Sequence, residues 1–495
     1  MVSFLIAIGA LVAGYFLYGA LMERVFGIRA SKATPAYTRG DGIDFMPMPT
    51  WKVFLIQFLN IAGLGPIFGA IMGVMFGPAA FLWIVFGTIF AGATHDFLSA
   101  MISMRSGGAS LPEIIGRELG RPIKNFVRGW SVLLLILVGA VFVVSPAGLL
   151  SGMVSDVHFS LFGHEMAIPL SSKALWIGII FFYYLLATLL PIDKLIGNIY
   201  PLFGVALLFM AVALLCILLF GGVGIPSGFE EGLQSRFADG KHPIFPMMFV
   251  SIACGAISGF HATQSPMMVR CLKNERLARP IFYGAMVAEG LVALIWAAAA
   301  IAFTNGYAEL ADYMSAHPEG ASAIVKDISM TWLGTFGGIL AILGVIAAPI
   351  TTGDTALRST RLIVADFMKI DQKKILKRIV VTVPIFALAF LLMCIDFNVL
   401  WRYFAWCNQT LAVFTLWAVT VYLARHRKAY VVTLLPALFM TAVSVSYLLY
   451  APRPEGIGLP WGWAVAAGVN AAVVTLIPFI IYMKRMKSQM KLSTK

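Results

Sequence analysis

Gly255-Ala256-Ile257-Ser258-Gly259-Phe260-His261-Ala262-Thr263-Gln264-Ser265-Pro266 sits inside an otherwise apolar stretch, 245–268. A second run, Asn60-Ile61-Ala62-Gly63-Leu64-Gly65-Pro66, interrupts the apolar stretch 51–76. Glycine costs about 1 kcal/mol and proline about 3 kcal/mol in a helix interior. Proline also removes a backbone donor. Backbone groups freed in hydrocarbon need partners in protein or in a water-filled cavity. The two runs therefore read as breaks in membrane-spanning helices.

Composition sets the same frame. Of 495 residues, 60% are hydrophobic and 12% charged, against about 45–50% apolar and about 25% charged in soluble domains. A span needs roughly 20 apolar residues. Thirteen such spans are predicted, near 2–22, 51–76, 78–104, 127–150, 174–190, 197–220, 245–268, 281–304, 332–356, 377–395, 399–424, 430–450 and 462–483. The stretch Val2–Met22 has no basic leader and is long enough to span, so it reads as an uncleaved first helix. Of the 36 Lys and Arg, 30 fall after odd-numbered spans and 6 after even ones. Cytoplasmic loops carry the Lys/Arg excess. The N-terminus is then outside and the C-terminus in the cytoplasm. The net charge of +13 is topological, which removes nucleic acid as a partner. Residues 111–120 read as an amphipathic surface helix and 221–244 as an external loop. The five cysteines show no metal or disulfide spacing and read as packing residues.

Spans 2 and 7 run in opposite senses and lie five apart. They predict an all-α polytopic protein with two inverted five-helix repeats, spans 2–6 and 7–11, each opening with a discontinuous helix. Transporters of this plan bind substrate at the midplane between broken helices. The expected organisation is an extra span and loop (1–44), a core (45–425) of two repeats (45–220 and 245–425), and two spans with a basic tail (426–495). Half-helices starting after Gly65 and after His261 would point free N–H groups at an anion. The carbonyl ends near Ile61 and Ala256 would suit a cation or a proton donor.

Ionisable residues at bilayer depth are costly and mark candidate sites. His95 and Asp96 in span 3 can relay a proton or anchor a helix. Glu289 in span 8 is either protonated and inert or a proton carrier. His261 lies in the second break with Ser258, Thr263, Gln264 and Ser265, which can bond a carboxylate. Thr351, Thr352 and Asp354 in span 9 would face the carbonyls after Asn60 and complete a cation site, or simply end a helix at the interface. Asn408 and Gln409 in span 11 either glue helices or touch substrate. The predicted substrate set is Asn60, Gly63, Gly65, Ser258, His261, Thr263, Gln264, Asn408 and Gln409. The predicted coupling set is His95, Asp96, Glu289, Thr351, Thr352 and Asp354.

Met46-Pro47-Met48-Pro49-Thr50-Trp51, Gln57–Ile67 and Gly92-Ala93-Thr94-His95-Asp96 resemble the carbon starvation protein A family, as do Gly255–Gln264 and Arg402–Gln409. The resemblance covers about residues 1–425, as in a short member. It implies a secondary transporter of the bacterial or archaeal inner membrane, linked to peptide uptake in carbon starvation, with some members resembling proton-coupled pyruvate importers. It also implies a LeuT-like core of the amino-acid/polyamine/cation type, which agrees with the inverted repeats. The resulting expectation is a proton- or cation-coupled importer of pyruvate or short peptides, not an enzyme, with no cofactor. A passive channel and a redox protein with His95 and His261 as haem ligands are the competing classes.

Overall fold

A computed structural model describes residues 1–40, 45–161, 164–189, 192–226, 232–237, 240–317, 320–370 and 374–493. Parts of the predicted external loop 221–244 and the end of span 5 at residue 190 lie outside these residues. Among the described residues, regular structure is helical apart from one antiparallel hairpin, β1 (Val157–Leu161) and β2 (His164–Ile168), with Val157 opposite Ile168. The hairpin joins two spans and is too short to leave a clear alternating pattern.

Among the described residues, ten helices are long and apolar enough to cross a bilayer, so the protein is a multi-pass membrane protein. The elements that build the site are α1 (Val2–Phe26), α2 (Thr50–Ile61), α3 (Gly65–Val74), α4 (Ala79–Arg105), α5 (Leu111–Leu119) and α6 (Arg121–Ser151). They continue with α7 (Lys173–Leu189), α8 (Ile192–Phe220), α9 (244–251), α10 (Gly259–Val269), α11 (Glu275–Phe303), α12 (Ala321–Met368), α13 (Ile375–Met393) and α14 (Phe397–Arg425). Two more, α15 (Val431–Tyr450) and α16 (Trp461–Ser493), close the chain. Of the thirteen predicted spans, α2 and α3 form one bent pair, turning by 54°. Helix α7 has only 17 residues, and α9 and α10 are separate pieces.

The first break follows from sequence chemistry. Pro66 has no amide to donate to Ala62, so the chain reorganises around Gly63 and restarts at Gly65. The second break lies at 252–258, earlier than its glycines and proline suggest. Ser258 is extended (φ −143°, ψ 123°) and Gly259 opens α10, so His261, Thr263, Gln264 and Ser265 are helical. Pro266 is carried within that helix.

Span 9 also differs from its predicted bounds. Helix α12 is interrupted at Gly334, whose φ of +66° a side chain would strain. It then runs on past residue 356 to Met368, which places Arg358 and Arg361 in the buried interior.

The two breaks pack on each other. A Cβ at Gly65 would collide with Cys254, and one at Gly69 would lie 2.9 Å from the Ser251 carbonyl. A Cβ on Gly255 would lie 2.8 Å from Ala293 Cβ and 3.7 Å from Pro66 Cα. Small residues here are what let two backbones approach in a membrane protein. Helices α4 and α11 flank this crossing, and α14 runs against α10.

Candidate functional site

Asp96 stands on α4 just after a π-helical turn at Gly87–Gly92. Such turns are frequent at functional sites. Here the turn brings Thr88 against the second break, where its hydroxyl donates to Gly255 O at 3.0 Å. Gly92 has no room for a Cβ against the backbone of Ala256. The close approach delivers Asp96 to α10.

Four ionisable side chains form a buried row, hydrogen-bonded from His95 through Asp96 to His261, with Glu289 in close approach beyond. His95 Nδ1 is 2.8 Å from Asp96 Oδ1, and His261 Nδ1 is 2.9 Å from Asp96 Oδ2. His261 Nε2 is 3.5 Å from Glu289 Oε2 on α11. All four residues are fully buried. A carboxylate only accepts, so both imidazoles turn a protonated Nδ1 toward Asp96. The Nε2 of His261 then holds either a lone pair or a proton opposite Glu289. One proton can reside on the Glu289 carboxyl or on the His261 imidazole without any change in the bonds to Asp96. That is the chemistry of a short proton relay.

Beside the row lies Cys254, in the break itself. Its thiol is 3.9 Å from Ser258 Oγ and accepts from Asn408 Nδ2 at 3.4 Å. Cys254, His261 and Glu289 bring possible ligand atoms within 4.8 Å of one another. Asn408 donates to the sulfur, whereas among the described residues His261 Nε2 and both Glu289 oxygens make no hydrogen bond.

The remaining predicted residues divide into groups. Asn408 Oδ1 accepts from Phe260 N at 2.7 Å and from Ser258 Oγ at 3.0 Å. Gln409 Nε2 donates to Phe249 O at 3.1 Å. Thr263 caps Phe260 O and accepts from Gln264 Nε2. At the first break, Thr352 Oγ1 donates to Leu59 O at 3.0 Å, and Gly63 sits under Thr352 and Phe142. Asn60 Oδ1 is buried there with no hydrogen-bond partner among the described residues. Thr351 bonds Ala348 O within its own helix. Asp354 turns away from the break, accepting from Tyr183 OH on α7 at 3.1 Å.

The structure therefore joins His95, Asp96, His261 and Glu289 in one row. It sets Thr352 at the first break and Asp354 in a separate polar cluster with Tyr183. Cys254, Thr88 and Tyr183 belong to these clusters and were not among the predicted residues. Cys254 adjoins Gly255 at the start of the break, which was the available signal. Thr88 and Tyr183 left none, because their partners lie 167 and 171 residues away.

The family model described as "Carbon starvation protein CstA" matches residues 1–162, 149–332 and 314–447. A Haemophilus influenzae protein named "Uncharacterized membrane protein" is 45% identical over 64% of this chain and 95% of its own. Peptide transporter CstA of Bacillus subtilis is 26% identical, covering 96% of this chain and 95% of that protein. Pyruvate/proton symporter BtsT of Escherichia coli is 30% identical over 57% of this chain and 46% of its own length. The chain belongs to the carbon starvation protein CstA family and is a membrane transporter rather than an enzyme.

Proposed function

We propose that this chain is a proton-coupled secondary importer of a small carboxylate-bearing nutrient, pyruvate or short peptides, acting in the carbon starvation response. The observation that carries this reading is the buried row His95–Asp96–His261–Glu289 beside the break between α9 and α10. Ionisable groups in a membrane interior mark proton relays and substrate paths. The names of two relatives, a peptide transporter and a pyruvate/proton symporter, supply the substrate classes and favour the proton as coupling ion.

In this reading the chain makes thirteen spans in the inner membrane, with the N-terminus outside and the C-terminus in the cytoplasm. The repeats are spans 2–6 and 7–11, inverted, and their broken helices cross where substrate binds. The packing of α3 against α9 and the second break supports that placement, since the two breaks touch. The substrate carboxylate sits at the start of α3 and α10, oriented by Asn60, Ser258, Thr263 and Gln264. Proton binding at Glu289 or His261 lowers the cost of moving the loaded site through the membrane. Thr352 and the carbonyl of Leu59 would form part of an accessory cation site, with Thr351 and Asp354 behind it.

The test is uptake of labelled pyruvate and of di- and tripeptides in proteoliposomes, with proton and sodium gradients imposed separately. Accumulation driven by an inward proton gradient is expected. Substrate that only equilibrates, whatever the gradient, would instead point to a passive channel.

A further inference from the structure

Helix α14 carries two side-chain amides in succession, and they reach the two facing ends of the broken helix. Gln409 donates to the carbonyl of Phe249, in the last turn of α9. Asn408 accepts from the amide of Phe260, the second residue of α10. Terminal carbonyls and amides of helices have no partner within the helix. An N-terminus wants an acceptor and a C-terminus wants a donor. A primary amide offers both, and successive residues on a helix point about 100° apart. The Asn408-Gln409 pair thus reaches to either side of the gap between α9 and α10.

The fit leaves little slack. A Cβ on Gly259 would lie 2.5 Å from the Asn408 carbonyl, so the backbones of α10 and α14 are in contact. Asn408 also bonds Ser258 and Cys254 inside the gap, so its amide holds three points of the break. Both amides are fully buried. His261 follows Phe260 directly, and its two ring nitrogens face Asp96 and Glu289 on different helices.

We infer that Asn408 and Gln409 are positioning residues, a splint from α14 that sets the width of the break and thereby holds His261 between Asp96 and Glu289. The transport readout of this role rests on the proton-relay reading above. The geometric readout does not.

The experiment uses the full-length protein in proteoliposomes, with Cys216, Cys271, Cys394 and Cys407 replaced by Ser so that Cys254 is the sole thiol. The variants are Asn408→Leu and Gln409→Met, which keep bulk but lose the bonds, and Asn408→Asp, which keeps the acceptor for Phe260. Three quantities are read: the rate of maleimide labelling at Cys254, the KM for substrate, and the pH profile of uptake. Loss of two or three buried hydrogen bonds should raise labelling by about tenfold or more in Asn408→Leu. Gln409→Met should raise it less, and Asn408→Asp should stay near the parent. The pH profile should move in the two apolar variants while KM changes little.

Unchanged labelling in both apolar variants overturns the splint. A large rise in KM at a fixed pH profile overturns it in favour of direct substrate contact. Should the parent protein move neither pyruvate nor peptides, the transport reading fails, and labelling alone decides the splint. Gln409→Met keeps the test open if Asn408→Leu does not reach the membrane.

Discussion

Asp96 Oδ2 and His261 Nδ1 stand 2.9 Å apart, although 165 residues separate them in the chain. The contact ties the first repeat of the expected plan to the second, in the first turn of the helix that follows the second break. It also leaves the far nitrogen of His261 turned toward Glu289, 3.5 Å away.

Removing the centre of the row should be severe. Asp96→Asn keeps the shape but leaves two buried imidazoles facing a neutral amide. An unsatisfied buried group costs about 1–3 kcal/mol. Proton-driven uptake should fall about tenfold or more, while protein in the membrane stays near the parent level. Initial uptake rates normalised to protein amount check this.

Glu289→Gln separates coupling from binding. The glutamine cannot pass a proton to His261, yet it fills the same volume. Exchange of internal for external substrate should persist, and accumulation against a gradient should be lost. Counterflow and net uptake, measured on the same vesicles, distinguish the two.

The crossing of the breaks predicts a compensating pair. Gly65→Ala drives a methyl into Cys254, and overpacking of this kind costs about 1–3 kcal/mol. Gly65→Ala should lower the melting temperature in detergent. Adding Cys254→Gly should recover part of the loss, because it removes the atoms that clash.

Tyr184 offers a test of backbone accounting. Pro146 lacks the amide that would bond Phe142 O one turn earlier, and Tyr184 OH lies 2.8 Å from that carbonyl and 3.1 Å from Pro349 O. Tyr184→Phe should cost about 1 kcal/mol. In a Pro146→Ala background the same substitution should cost less, since the helix then supplies a donor to Phe142 O and only the contact to Pro349 O is lost. A double-mutant cycle on thermal stability measures the difference.

At the other end of α6, Glu113 on α5 accepts from Lys124 at 2.6 Å and Arg128 at 2.8 Å. Burial works against its charge, but the two cations outweigh it and hold the carboxyl below the ordinary glutamate range. A carboxyl lowered on folding stabilises above its unfolded value, and that contribution is lost as pH falls through the folded one. Acid below the ordinary carboxylate range should therefore loosen α5 slightly from α6. The effect is small because the Glu113 side chain is 38% exposed. Lower hydrogen-exchange protection across 111–119 on acidification, relative to the intrinsic rate at each pH and absent in Glu113→Gln, is the expected sign.

Much of this was legible in the sequence because glycine, proline and charge are expensive in hydrocarbon. The runs around Gly63–Pro66 and Gly255–Gly259 marked both breaks, and His95, Asp96, His261 and Glu289 stood out as ionisable residues at depth. That they form one row was not legible, since it depends on how α4, α10 and α11 pack. The second break was set too late in the chain, with its half-helix starting after His261. In the structure Pro266 stays inside α10, and Ser258 marks the actual start. Asp354 was assigned to the first break from its neighbours Thr351 and Thr352. On a helix those residues point in different directions, and only Thr352 reaches Leu59. The hairpin at 157–168 was missed because its strands are five residues each.

The central claim is that substrate and proton cross together through the row. The direct measurement is proton entry, followed by a pH indicator inside proteoliposomes, when pyruvate or a dipeptide is added without a pre-set pH gradient. The parent protein should acidify the lumen in step with substrate entry, and Asp96→Asn should not. Substrate entry by the parent with no accompanying lumenal acidification would contradict the account.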